Sequence, residues 1–454
     1  MAKEIRLNAF HMNTPSHSWA GLWRHARDRS LDYTSPAYWV DLAQTAERGL
    51  LDGVFLADVF GSYDVYGGSR DAAIAHAVQS PSNDPFMVVP FMAQATKHIG
   101  FGITATLTYE QPYQFARRFS TLDHLTGGRV GWNIVTGYLK SGAAGMGQTA
   151  IRAHDDRYDA GDDFLAAAYK LWEGSWAAGA VLRDKSLGRF ADPTRVHTIR
   201  HKGPYYQVEA AHLSEPSPQR TPVLYQAGAS GRGREFAARH AECVFLGGQT
   251  KAIVREAVNA IRRQAVAFGR RAEDIVIFLG ATAIVAPTGA EARDLAADYA
   301  AHIDPIAQLA LVSGWSGIDF AKYDLDEPIR HEKSNSIQSF VENITTRADR
   351  PITPRDLISF STIGARGPFV VGDAATVADE LLSWVDETGI DGFNLARVVV
   401  PETLRAQVDL LVPELQNRGR FKTAYAEGSL RQKLFPGAGP HLPDRHIGAS
   451  HRPL

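Results

Sequence analysis

The 454-residue sequence predicts a (β/α)8 TIM barrel, a single domain with two long insertions and an extended C-terminal tail. Three observations point there. Short apolar runs alternate with amphipathic helical patterns over nearly the whole chain, as βα units around a parallel sheet require. The apolar runs number eight, and a doubly wound sheet rarely needs so many consecutive parallel strands in one layer. Two segments, about 137–220 and 304–366, break the alternation and are too long for plain loops, so each is expected to be an insertion with its own elements.

The elements follow in order. EIRLNAF (4–10) reads as the first strand. Ser35 then offers an N-cap, Pro36 fits the first helical position, Trp39, Leu42, Ala43 and Ala46 fall on one face, and Gly49 supplies the stop. DGVFLAD (52–58), IGFGITAT (99–106) and RVGWNIV (129–135) are the next strands, separated by helical segments near 84–97 and 112–125. The first insertion contains a helix at about 157–173, with Phe164, Ala168, Leu171 and Trp172 on one face. VLYQA (223–227), ECVFLG (242–247), DIVIFLGATAIVA (274–286) and DGFNLARVVV (391–400) complete the eight. The last is preceded by a helix with Asp373 at its start, Gly389 at its stop and Val377, Leu381, Trp384 and Val385 on its buried face. The tail from about 420 to 454 is rich in proline, glycine and histidine, shows no helical period, and reads as an extended arm that suits contact with a neighbouring subunit.

Composition narrows the function. Apolar residues at 44%, charged residues at 22% and a net charge of -2 lack the basic bias of a nucleic-acid binder. The first residues, MAKEIRLNAF, put charges where a secretion signal needs an apolar core, and no apolar run is long enough to span a bilayer, so the expected location is the cytoplasm. The single cysteine, Cys243, excludes an intrachain disulfide and a cysteine-rich metal or iron–sulfur site; its apolar strand context favours a buried structural thiol.

TPVLYQAGASGRGREFAARH (221–240) runs from a strand through three glycines into a helix. Its GxxGxG spacing is neither the dinucleotide fingerprint nor a P-loop: the next strand ends without a ribose-binding acid, and this turn has no lysine followed by Ser or Thr. A helix N-terminus with free N–H groups, the Ser230 hydroxyl and nearby Arg232 would suit one phosphate monoester; a tight turn that merely needs glycine is the alternative. AHDDRYDAGDDF (153–164) concentrates polar groups, but an HDD run before a helix favours dipole-complementing caps over metal ligands, so no metal is expected, and His154 and Tyr158, four apart, can face a site together. Asp58, Thr104, Asn133 and Thr136 stand at or near strand C-terminal ends, where barrels build their sites. No nucleophile elbow is present.

The blocks YEQPYQFARRFSTLDHLTGGRVGWNIVTGYLKSGAAGMGQ (109–148), AHDDRYDAGDDFLAAAYKLWEGSW (153–176), SEPSPQRTPVLYQAGASGRGREFAARHAECVFLGG (214–248) and GIDGFNLARVVVPETL (389–404) together resemble the flavin-dependent monooxygenases of the bacterial luciferase-like superfamily. The similarity runs over essentially the whole chain and is nearest the branch acting on nitrilotriacetate, dibenzothiophene sulfone, dimethyl sulfide and long-chain alkanes. It implies reduced FMN and O2, a separate NAD(P)H-dependent flavin reductase as partner, a homodimer or homotetramer, and oxygen transfer through a C4a-hydroperoxyflavin to a small apolar or organosulfur substrate. By the same resemblance, Asp58, Thr104, Asn133 and Thr136 fall beside the isoalloxazine, while His154, Tyr158, Ala229 and Ser230 fall toward the ribityl chain and phosphate. His17, Tyr63, Gln79 and Tyr138 fall on the catalytic, substrate-facing side. Thr14 and Tyr138 stand where the alkane-oxidising members carry a cysteine and a histidine. A deazaflavin-using barrel reductase and a non-catalytic flavin-binding protein share the expected fold.

Overall fold

The computed structural model describes residues 3–228, 230–330, 337, 340–341, 345, 350–359 and 367–453. Eight parallel strands close on themselves: β1 Arg6–Met12, β2 Gly53–Ala57, β3 Gly100–Thr106, β4 Val130–Val135, β5 Val223–Gln226, β6 Cys243–Leu246, β7 Val276–Val285 and β8 Gly392–Ala396. Each strand pairs with the next in the chain, and β8 pairs with β1 through Arg6↔Gly392 to Phe10↔Ala396, so the sheet has no free edge. The eight expected apolar runs are these eight strands. A further short strand, Phe369–Gly372, extends β7 at its outer end.

The barrel is stacked inside and wrapped outside. Phe10, Phe55, Tyr225, Phe245 and Phe278 meet edge-on or tilted within the barrel, with ring centroids 5.1 Å apart for Phe10–Phe245 and 5.6 Å for Phe55–Tyr225. Gly131 on β4 faces this layer, and a Cβ there would meet the Tyr225 ring at 2.5 Å, so the small residue makes room for the large one on the adjacent strand. Outside lie the helices α1 Pro36–Arg48, α2 Val89–Gln94, α3 Pro112–Thr126, α4 His154–Tyr169, α5 Gly231–His240, α6 Lys251–Ala267, α7 Gly289–Ala300, α8 Pro305–Ser316 and α9 Ala374–Thr388. Apart from α8, which packs against Tyr63, Ala73 and Leu357 in a separate apolar cluster, they lay apolar stripes on the outward strand residues, with Trp132 of β4 buried among Phe115, Phe119 and Phe164. Asp373 caps α9 by accepting from the Thr376 amide, and Gly389 closes it at φ 80°. Among the described residues no helix is long and apolar enough to cross a membrane.

Four local expectations are corrected. Ser35 precedes α1 without a side-chain cap bond. Helix α4 begins at His154 rather than near 157, and its last turn widens into a π turn, Lys170–Gly174. Strand β8 stops at Ala396 rather than running to 400, because Arg397 turns its buried guanidinium onto the carbonyls of Thr14 (3.1 Å) and Pro15 (2.8 Å). The tail is not an extended arm. It holds a short helix, Leu430–Leu434, capped reciprocally by Ser429 and Gln432, and it folds under its own barrel. Arg431 there is 1% exposed, donates to both oxygens of Glu242 at 2.6 and 2.9 Å, and also donates to the carbonyls of Thr221 and Pro222 at the base of β5.

The first long segment carries α4 and two hairpins, Val181–Asp184 with Arg189–Ala191 and Ile199–Lys202 with Gln207–Ala210. The second contributes α8 and the short helix Pro354–Ile358. Asp304 starts α8 by accepting from the Ile306 and Ala307 amides.

Candidate active site

A cavity of about 300 Å³ opens at the C-terminal ends of the strands, within the size range of small-molecule sites. It gathers eleven of the twelve residues singled out in the sequence: Asp58, Thr104, Asn133, Thr136, His154, Tyr158 and Ser230, together with His17, Tyr63, Gln79 and Tyr138. The twelfth, Ala229, lies outside the described residues.

On one side the polar groups rise from the strand ends. Thr104 and Asn133 are register partners on β3 and β4, and Asn133 Nδ2 donates to Thr104 Oγ1 at 2.9 Å. This bond turns Asn133 Oδ1 away, enclosed and with no donor; Thr106 Oγ1 and Gln226 Oε1 are likewise enclosed without a partner. Asp58 follows β2. Burial, and then the charge of Asp84, push its carboxyl up to about 7, against the opposing pull of the Val59 amide and the Ser82 hydroxyl.

The glycine turn is built around a phenol. Ser230 caps α5, its Oγ accepting from the Gly233 amide at 3.0 Å, and its hydroxyl also bonds the Tyr158 phenol, so the two hydroxyls stand together at the helix N-terminus. A Cβ on Gly233 would lie 2.8 Å from the Tyr158 hydroxyl, and one on Gly228 would lie 3.1 Å from it, whereas one on Gly231 would meet nothing. Two of the three glycines are therefore required by the approach of Tyr158. His154, at the start of α4, packs edge-on against Tyr158 with centroids 5.3 Å apart and bonds Asp155 through Nδ1 at 2.7 Å. Arg232 is already engaged. Its guanidinium binds Asp159 at 2.9 Å and Asp162 at 2.5 Å, tying α5 to α4 beside the turn. The guanidinium that lines the cavity is that of Arg157, 2% exposed, and burial lowers its pKa.

On the other side stands a hydrogen-bonded wall. Gln79 Nε2 donates to the His17 carbonyl at 2.8 Å, which aims Oε1 at Tyr63, whose hydroxyl donates to it at 2.9 Å. With that proton placed, the Tyr63 oxygen accepts from Tyr138 at 2.9 Å and from Trp315 Nε1 at 3.2 Å. Gln79 is held at φ 47°, in the left-handed region that few side chains adopt, so the surrounding packing imposes this carboxamide's position. Gly314 on α8 lies flat against the Tyr63 ring, where any Cβ would overlap it. Val59, Phe60, Ile337, Phe340 and Leu357 make the rest of this side apolar.

Away from the cavity, His25, Asp298 and His302 offer ligand atoms within 4.8 Å of one another. His25 Nδ1 accepts from the Arg27 amide at 3.2 Å, so its Nε2 carries the proton and donates to Asp298 at 3.0 Å. The group is a hydrogen-bonded clasp between the segment after β1 and α7.

Comparison with known proteins decides the family. The model of the luciferase-like monooxygenases matches residues 10–392. The chain belongs to that family. This luciferase-like monooxygenase chain is 47% identical over 453 residues to dimethyl-sulfide monooxygenase of Hyphomicrobium sulfonivorans, covering 100% of itself and 94% of that protein. It is 45% identical over 452 residues to long-chain alkane monooxygenase of Geobacillus thermodenitrificans, covering 100% and 99%. A crystal structure of long-chain alkane monooxygenase superposes with a TM-score of 0.93 at 45% identity, each chain covered in full. A riboflavin lyase structure described as holding a modified FMN and riboflavin superposes equally well, with a TM-score of 0.93, at 36% identity and full coverage of both chains.

Arg157, Gln226 and Trp315 are cavity residues that sequence reading passed over in this family member. Arg157 stands three residues after His154 on α4 and could have been found from the helical spacing. Gln226 ends a strand and reads as an ordinary strand terminus. Trp315 sits on a helix apolar on all faces, which hides the one side chain directed at the cavity.

Proposed function

We propose that the protein is the oxygenase component of a two-component system, using reduced FMN from a separate flavin reductase and O2 to oxygenate a small apolar or organosulfur substrate. The observation that carries the reading is the division of one cavity into a polar, anion-ready side and an apolar side with one fixed polar network, in a chain 47% and 45% identical to monooxygenases of dimethyl sulfide and alkanes. Enclosed oxygens of Asn133, Thr106 and Gln226 without donors fit a ligand carrying several hydroxyl or N–H groups, as a ribityl flavin does.

In this reading the Ser230 and Tyr158 hydroxyls donate to the phosphate at the N-terminus of α5, and Arg157 supplies the positive charge. Ala229 is assigned to the same turn. His154 holds Tyr158 in place by packing on its ring. Thr104, Asn133, Thr136 and Asp58 border the ring system, and the aromatic layer of Phe10, Phe55 and Phe245 floors it. Asp58, with its carboxyl up at about 7, holds a proton through much of the neutral range and can donate it. Bound reduced flavin would supply the two electrons with which O2 is activated, one of its atoms going to the substrate and the other to water. The chain's task is to exclude water and hold the substrate. Tyr63, Tyr138, Gln79 and His17 fix a polar edge, while Trp315, Phe340 and Leu357 close an apolar chamber.

The test is substrate-dependent incorporation of labelled oxygen with a flavin reductase and NADH across thioethers, sulfones and alkanes. Titration with FMNH2 and with reduced deazaflavin separates this reading from a deazaflavin reductase. Binding of deazaflavin alone would overturn it.

A further inference from the structure

The geometry points to the Gln226 carboxamide as a direct ligand of the flavin's ribityl hydroxyl chain, an inference that rests on the flavin reading above. Gln226 is the last residue of β5, 2% exposed, and lines the cavity two residues before the glycine turn. Its Oε1 is enclosed and accepts no hydrogen bond. An interior carboxamide left in this state costs about 1–3 kcal/mol.

The segment leading into the same strand supplies the contrast. Gln219, four residues before β5 begins, is also buried and fully used: its Nε2 donates to Asp123 Oδ1 at 2.7 Å and to the Val130 carbonyl at 2.8 Å, and its Oε1 accepts from the Arg431 amide at 3.2 Å. A glutamine kept for the fold is bonded in this way. Gln226, seven residues later at the mouth, has nothing equivalent.

What surrounds Gln226 says which ligand it awaits. A Cβ on Gly228 would overlap Gln226 Nε2 and crowd the Tyr158 hydroxyl, so the turn leaves bare backbone over the carboxamide and the phenol alike. The paired hydroxyls of Tyr158 and Ser230 can donate to an anion, whereas the carboxamide oxygen needs a donor and cannot serve a phosphate. A chain of hydroxyls next to a phosphate meets both demands. The terminal torsion of glutamine is broad and no bond latches it here, so rotation about it brings the oxygen to the cavity. Asn133 Oδ1 and Thr106 Oγ1, also enclosed without donors on the neighbouring strands, extend the same acceptor row.

The test measures FMN and FMNH2 dissociation constants and the melting temperature of flavin-free protein for wild type and Gln226→Met. Methionine keeps the length and removes the polar end. The expected result is crossed: binding weakens about tenfold, as the loss of one net hydrogen bond requires, while the flavin-free protein melts at the same or a higher temperature. Unchanged or tighter binding overturns the assignment, and so does weaker binding accompanied by a lower melting temperature, which would mark a packing residue. Wild-type protein that binds neither form overturns the flavin reading, and with it this ligand.

Discussion

A Cβ on Gly233 would lie 2.8 Å from the hydroxyl of Tyr158, which reaches across from α4 to the first turn of α5. Gly233→Ala is therefore expected to displace the phenol and weaken FMN binding about tenfold, the loss of one hydrogen bond. Gly231→Ala, with open space around the added carbon, is expected to leave binding unchanged and to stabilise the helix by roughly 0.5–1 kcal/mol. Flavin titration paired with thermal melting checks both.

The Tyr63 hydroxyl joins Gln79, Tyr138 and Trp315. Tyr63→Phe strands buried partners and is expected to cost about 1–3 kcal/mol in chemical denaturation. FMN affinity should stay as in wild type, while substrate-dependent oxygen uptake falls. Loss of flavin binding in this variant would contradict the placement of the network on the substrate side.

Asp58 carries a pH signature. Its folded-state pKa, raised to about 7, exceeds the ordinary carboxyl value, so the folded protein binds more protons than the unfolded chain between about pH 4 and 7. Stability contributed by this group falls as pH rises through that window and is level above it. Asp58→Asn removes the slope, and at pH 8 the flavin-free variant is expected to gain roughly 2–4 kcal/mol, solvent in the open cavity reducing the full effect. Denaturant midpoints measured from about pH 4.5 to about pH 8.5 would show the flattening.

Beneath the barrel, Arg431→Met leaves Glu242 charged and enclosed, with an expected loss of about 3–5 kcal/mol. Adding Glu242→Gln is expected to recover part of it, because the uncompensated charge is gone. Equal midpoints for the single and double variants would refute the pairing as the source.

The strands were legible because each is an apolar run between clear helical stretches, and Asp58, Thr104 and Asn133 were legible because barrel strand ends converge on one mouth. Ser230 announced itself through the glycines around it. Other features depend on contacts distant in the chain. Gln79 reaches Tyr63 through a left-handed backbone that no local pattern specifies. The charge of Arg232 is taken by Asp159 and Asp162, 73 and 70 residues upstream, and only folding reveals it. The helix Leu430–Leu434 is five residues long, too short to display a period, and its anchor is Glu242, the residue before β6.

That anchor imposes an order on biogenesis. Glu242 is 189 positions ahead of Arg431 in the chain, so on a translating ribosome the acid emerges long before its counterion. Until the later segment arrives, the underside of the barrel holds an unneutralised carboxylate beside an open aromatic floor. Nascent chains halted before Leu430 are thus the ones that chaperones and proteases should seize, and arrival of the segment carrying Arg431 is the event that covers the acid.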